Sequence, residues 1–185
     1  GLVDRTQGVG TFAAQLHKVS STLTIHDLHD EILAPVHQHQ AQVHLQRSES
    51  ASAALAAQLG VAAGSSVFHT LIVHLENGVP LQCEDRYVNP RVVPQFAQQD
   101  FTLLQPSEFL VRNVPFDQVE HVVDAVLPTP EQAQLLEMDP AQPCLLLTRR
   151  TWSRGVPVTM VRCLHPSSRY RLGSRFRADG NPVSE

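Results

Sequence analysis

One stretch constrains the fold of this chain more than any other, the pair of apolar runs Val67–Leu75 and Val79–Val88 separated by Glu76, Asn77 and Gly78. β-branched and aliphatic residues alternating about a short Asn-Gly connection are the strongest local signal for a β-hairpin. Two registers compete. A two-residue Asn-Gly loop faces Leu71 against Glu84 and Val73 against Gln82, setting carboxylate and amide opposite aliphatic side chains. A three-residue loop with Gly78 in the left-handed conformation pairs Leu71 with Cys83, Val73 with Leu81 and Leu75 with Val79. The second is the expected register, and it gathers Thr70, Ile72, His74, Gln82, Glu84 and Arg86 on the opposite face.

The same pattern returns 77 residues later. Val79-Pro80 after Asn77-Gly78 is echoed by Val156-Pro157 after Arg154-Gly155. Upstream of each hairpin lie an alternating run (41–46, matched by 118–123) and an alanine- or glutamine-rich helical stretch (51–59, stopped by Gly60, matched by 131–137 after Pro130). Each half therefore reads strand, helix, hairpin. Between the halves, Pro90 and Pro94 mark an irregular link and a helix is expected around 107–112. Ile25, Leu28, Ile32 and Leu33 have helical spacing behind Thr24 as an N-cap. The expected class is α+β, an antiparallel sheet with helices mainly on one face.

A chain of 185 residues, 42% of them hydrophobic, is long enough for one substantial core. Fourteen basic against eighteen acidic residues give a net charge of -4, which argues against a broad phosphate-binding face. Cys83, Cys144 and Cys163 lie in apolar runs without metal-type spacing and read as buried free thiols of a reducing cytoplasm. No run approaches the length of a membrane span, and no secretion signal is recognisable.

Several strings resemble the HutC subgroup of the GntR regulators, the histidine-utilisation repressors. Gln7-Gly8-Val9-Gly10-Thr11-Phe12 resembles the last strand of the winged-helix wing, with no helix-turn-helix before it. Gly78-Val79-Pro80 through Glu84-Asp85-Arg86-Tyr87-Val88-Asn89-Pro90 resembles the central hairpin of the UTRA effector domain. Val119-Glu120-His121, Arg149-Arg150-Thr151-Trp152-Ser153 and Ser168-Arg169-Tyr170-Arg171-Leu172 are similar to strings of the same subgroup. The resemblance implies a chorismate-lyase-like UTRA fold over 15–177, preceded by a wing remnant and linker (1–14) and followed by a tail (178–185). It implies a homodimeric cytoplasmic repressor domain that releases operator DNA when urocanate binds, with DNA contacted only through the missing N-terminal domain. No membrane, cofactor or catalytic role is implied.

Urocanate carries a carboxylate, a flat conjugated spacer and an imidazole, so its pocket needs a cation at one end and a ring partner at the other. By the resemblance, Glu84 faces the effector, His74 takes the place of a basic ligand contact that is usually arginine, and Tyr170 closes the pocket. Arg86 adjoins Glu84 on one strand face. Arg149, which the repeat equates with Ile72, is the expected carboxylate partner, with Arg150, Arg169 and Arg171 as close competitors. His29, with Asp30 and Glu31, resembles the segment that lids the effector. Each has a plainer reading. Glu84 could be held in an internal salt bridge with Arg86 or Arg149, His74 could be a satisfied core histidine, Tyr170 could be core packing, and His29 could be a solvated helix end. His37, His39 and His44 hint at a metal, but no cysteine accompanies them. The alternative function is an enzyme of chorismate-lyase-like fold acting on a small carboxylic acid, yet no nucleophile elbow or phosphate-cradling loop supports it.

Overall fold

The computed structural model describes residues 39–172 and, N-terminal to them, the backbone strands β1 (Val3–Arg5), β2 (Thr11–Ala13) and β3 (Val19–Ser21). The expected helix at 25–33, with His29 and His37, lies outside the described residues, as does most of the expected wing remnant. Within the latter, β1 and β2 pair antiparallel, with Asp4 opposite Phe12.

The centre of the molecule is one antiparallel sheet of six strands, in the order β4 (His39–Ser50), β5 (Ser66–Glu76), β6 (Val79–Val88), β9 (Val156–Pro166), β8 (Cys144–Ser153), β7 (Gln118–Val126). The two halves are strand, helix and hairpin, as the repeat suggests, and they join edge to edge through β6 and β9. That junction is symmetric. Asp85 pairs with Arg162, its own equivalent 77 residues on, while Cys83 pairs with Leu164 and Tyr87 with Met160. A pseudo-twofold axis therefore crosses the sheet beside Asp85 and Arg162.

The hairpin register departs from the expected one. Asn77 and Gly78 form a two-residue loop with φ of 51° and 78°, the combination of a type I′ turn, and Glu76 pairs with Val79. The ladder then shifts between His74/Leu75, so that Leu75 faces Pro80, His74 faces Gln82, Val73 faces Cys83 and Leu71 faces Asp85. Leu81 is left as the extra residue of a β-bulge. A bulge restores the alternation that a two-residue loop alone would invert, because one added residue moves every following side chain to the other face. The expected three-residue loop and its pairs Leu71–Cys83, Val73–Leu81 and Leu75–Val79 are thus wrong, while the expected faces of Cys83 and of His74 and Glu84 hold. The second hairpin repeats this. Arg154 and Gly155 have φ of 52° and 73°, Ser153 pairs with Val156, and the shift between Thr151/Trp152 leaves Val158 over.

Helices α1 (Ala53–Leu59) and α3 (Pro130–Leu135) occupy equivalent places. Each is N-capped by a hydroxyl, Ser52 Oγ accepting from the Leu55 amide and Thr129 Oγ1 from that of Gln132. Both pack on the sheet face that carries Val67, Cys83, Met160 and Leu164. Helix α2 (Pro106–Asn113) and a 3-10 turn (Phe96–Gln98) belong to the link between the halves and cover part of the other face. There Phe96, Phe101, Phe109 and Leu110 close over Ile72 and Val88. Full burial of Phe96 and Phe101 stabilises this lid by about 1.5–3 kcal/mol per side chain. All three cysteines are buried and free. No helix among the described residues is long and apolar enough to cross a membrane.

Candidate functional site

The face partly covered by the link carries an unusual amount of buried polarity. Pairing fixes its rows: Thr70, Arg86, Val161, Arg149 and His121 lie side by side across five strands, and Ile72, Glu84, Cys163 and Leu147 form the next row. Arg86 and Arg149 are therefore two strands apart, about 10 Å at the spacing of a β-sheet. Thr70, His74, Glu84, Arg86, Arg149, Thr151, Thr159 and His165 are all buried. Side chains of these types are costly to bury unless they serve a partner.

Arg86 Nε donates to Glu84 Oε1 at 2.8 Å and Nη2 donates to Oε2 at 2.9 Å. Burial opposes the Glu84 charge, but the Arg86 guanidinium, seconded by His74, outweighs it and holds the carboxyl well below the usual carboxylate range. His74 Nε2 sits 3.6 Å from Glu84 Oε2, close enough for electrostatic attraction and too far for a hydrogen bond. On its other side, Nδ1 of His74 meets Nε2 of His39 at 3.0 Å. Arg149 Nε donates to His121 Nε2 at 2.9 Å, so that this imidazole accepts through an unprotonated nitrogen.

His165 lies strandwise between His74 and Arg149 and is 3% exposed. Its ring stacks on Tyr170, with centroids 3.8 Å apart and planes inclined by 12°. Burial above all, reinforced by the nearby His74 and Arg149, lowers its pKa to about 3 against a hydrogen bond to the Leu81 backbone that pulls the other way. Tyr170 opens β10 (Tyr170–Leu172), which runs parallel to β3 with Tyr170 opposite Val19. Four buried polar atoms on this face have no hydrogen-bond partner among the described residues: Thr70 Oγ1, His74 Nε2, Thr151 Oγ1 and His165 Nδ1.

The structure thus brings together His74, Glu84, Arg86, Arg149 and Tyr170. The structure places the competing arginines elsewhere. Arg150 turns to the opposite face, where it stacks over Trp152 and donates to the Gln58 carbonyl. Arg169 donates to the carbonyls of Pro80, Leu136 and Glu137 and ties down the end of α3. Arg171 is exposed. The salt-bridge reading of Glu84 is realised with Arg86 as its partner. Sequence reasoning passed over His165, Thr151 and Thr159. The offset of 77 would have exposed His165, since it stands where the first half has the core residue Val88.

A second ionisable cluster lies on the helix-covered face. His69 meets Glu49 Oε2 through Nδ1 at 3.1 Å and Asp85 Oδ1 through Nε2 at 2.8 Å, and it stacks on Tyr87. Burial disfavours its charge, but the two carboxylates prevail and raise its pKa.

Residues 36–171 match the family model of the UTRA domain. The chain is 47% identical over 176 residues to the histidine utilization repressor of Pseudomonas putida, covering 95% of this chain and 71% of that protein. It is 44% identical to the histidine utilization repressor of Klebsiella aerogenes, over 95% of this chain and 73% of the relative. Among solved structures, the C-terminal domain of histidine utilization repressor from Pseudomonas syringae pv. tomato str. DC3000 superposes with a TM-score of 0.73 at 45% identity, covering 76% of this chain and 99% of that one. PhnF from Mycobacterium smegmatis, at 23% identity and a TM-score of 0.79, shares the fold. The chain belongs to the UTRA-domain family of GntR-type transcriptional regulators, among the histidine utilization repressors.

Proposed function

We propose that this domain is the effector-sensing and dimerising part of its repressor, that urocanate is the effector, and that occupancy releases operator DNA. In this reading it acts in the cytoplasm and performs no chemistry of its own. Residues 15–177 form the effector domain, 1–14 a connection to a DNA-reading module, and 178–185 a tail. The observation that carries the reading is the buried face on which Arg149 shares a surface with polar atoms of Thr70, Thr151 and His165 that have no hydrogen-bond partner among the described residues. Glu84 and Arg86 neutralise each other there, and Arg149 on the same face carries the planar guanidinium that suits an effector carboxylate. Stacked His165 and Tyr170 border the same face and offer flat surfaces to a planar conjugated acid.

Calorimetry with urocanate and with histidine tests this. Urocanate binds and histidine binds far more weakly, because its ammonium would have to be desolvated in a site built for a flat acrylate. Equal affinities for the two ligands would defeat the selectivity argument, and no binding of urocanate at millimolar concentration would defeat the effector assignment. These 185 residues are also expected to sediment as a dimer and to show no specific operator retention, since their net charge is negative.

A further inference from the structure

We infer that Thr151 is a second binding residue for the effector carboxylate, its hydroxyl donating beside the Arg149 guanidinium; this rests on the urocanate reading above. Thr151 is 2% exposed, and its Oγ1 has no hydrogen-bond partner among the described residues. Register fixes what surrounds it. Arg149 stands two residues back on the same strand and face, roughly 7 Å away between Cα atoms. The paired residue on β9 is Thr159, and on β7 it is Val119, which offers no polar group. Thr159 Oγ1 is met at 3.5 Å by Arg86 Nη1, and no hydrogen bond joins it to Thr151. Two residues further along β8, Ser153 Oγ donates to the Pro115 carbonyl, where the link returns to the sheet. Thr151 therefore lies at the link-covered end of the polar face, between that contact and Arg149. The offset of 77 equates it with His74, so equivalent positions of the two halves carry buried polar groups on this face.

Charge decides what the hydroxyl meets. Thr70 Oγ1, the other buried threonine hydroxyl without a partner among the described residues, pairs across the ladder with Arg86, whose charge Glu84 absorbs through two hydrogen bonds. Thr70 and Thr151 are three strands apart, about 14 Å at the spacing of a β-sheet, so one small group cannot reach both. Arg149 donates through Nε to His121, a partner that brings no negative charge. A guanidinium fixed beside an unpartnered hydroxyl favours a ligand oxygen that carries negative charge, because both groups donate to it and hydrogen bonds to charged acceptors are the stronger ones. Burying the Thr151 hydroxyl costs free energy in the ligand-free domain, and that cost is offset once a carboxylate is bound. The hydroxyl thus destabilises one state and stabilises the other, which separates a binding role from a packing role.

Calorimetry and thermal melting of the wild-type chain, Thr151→Val and Thr151→Ser test this. Valine keeps the shape of threonine and removes the hydroxyl, whereas serine keeps the hydroxyl and removes the methyl. Thr151→Val is expected to weaken urocanate binding by roughly tenfold or more, and Thr151→Ser to stay within about threefold of wild type. Without ligand the order reverses. The valine variant melts no lower than wild type, because it no longer buries an unpartnered polar group, and the serine variant, which lacks a buried methyl, melts lower. A packing role would give serine the larger loss of affinity and overturns the inference. Wild-type affinity in Thr151→Val overturns it too, as does a serine variant that binds no better than the valine one. Urocanate labelled with 13C at its carboxyl locates the contact. At saturating ligand the bound resonance is expected to differ between wild type and Thr151→Val; an unchanged resonance places the hydroxyl on another part of the ligand and overturns the inference. Failure of the wild type to bind urocanate overturns the effector reading and this one together, whereas urocanate binding that survives loss of the hydroxyl overturns this one alone.

Discussion

Arg86 grips both carboxylate oxygens of Glu84, two residues back on the same strand, while each residue is 3% exposed. Alternation in a strand puts residues i and i+2 on one face, and burial makes the pair act as a unit. Its two charges have left water together, and neither can be removed without stranding the other.

Glu84→Ala is accordingly expected to destabilise the domain by about 3–5 kcal/mol, the cost of an uncompensated buried charge. The double change Glu84→Met with Arg86→Leu is expected to cost much less, because no charge is left behind. Urea unfolding of the three proteins measures this, and a double variant no more stable than the single one would contradict it. The depressed pKa of Glu84 sets the sign with pH. Its contribution is present above the ordinary value of 4.5 and is lost as pH falls below it.

Arg149→Ala is expected to reduce urocanate affinity by about 1.5–3 kcal/mol, the range for hydrogen bonds to a charged group. Arg149→Lys should recover little, since an ammonium cannot reproduce the planar fork that donates to His121 and to a carboxylate together. Calorimetry decides it. A lysine variant with wild-type affinity would show that charge alone suffices.

His69 and His165 should give opposite pH signatures. The raised pKa of His69, between Glu49 and Asp85, contributes stability that is full below 6.5 and lost as pH rises through the folded value. The lowered pKa of His165 works the other way, for the unfolded chain takes a proton below 6.5 while the native ring resists until about 3, so stability falls across that interval on acidification. Melting temperatures of His69→Gln should be flatter than wild type above pH 6.5, and those of His165→Phe flatter below it. Parallel curves for wild type and either variant would refute the corresponding assignment.

Gly78→Ala and Gly155→Ala should each destabilise by about 1–2 kcal/mol from left-handed backbone strain alone. Nothing lies within 4 Å of the added Cβ at either position, although φ is +78° and +73°. Gly60→Ala should cost more than either, since its φ of +61° is joined by contact with the Pro157 ring at 3.2 Å. Denaturant midpoints check the order.

Much of this molecule was legible in its residues. The two hairpins, the repeat at 77 and the faces of Cys83 and Glu84 follow from two-residue alternation and turn chemistry, which are local and survive any register slip of an even number of residues. The actual pairing was not legible, because the bulges at Leu81 and Val158 exchange one backbone arrangement for another at the same side-chain parity. The join of β6 to β9 is a contact between distant segments that no local pattern encodes. Sequence placed His74, Glu84, Arg86 and Arg149 on candidate faces; only tertiary structure decided that Arg86 absorbs the charge of Glu84 and that Arg150 points away. It also decided that His165 is buried and stacked on Tyr170. Burial and charge pairing depend on what packs against a side chain, and here those neighbours come from strands far apart in the chain.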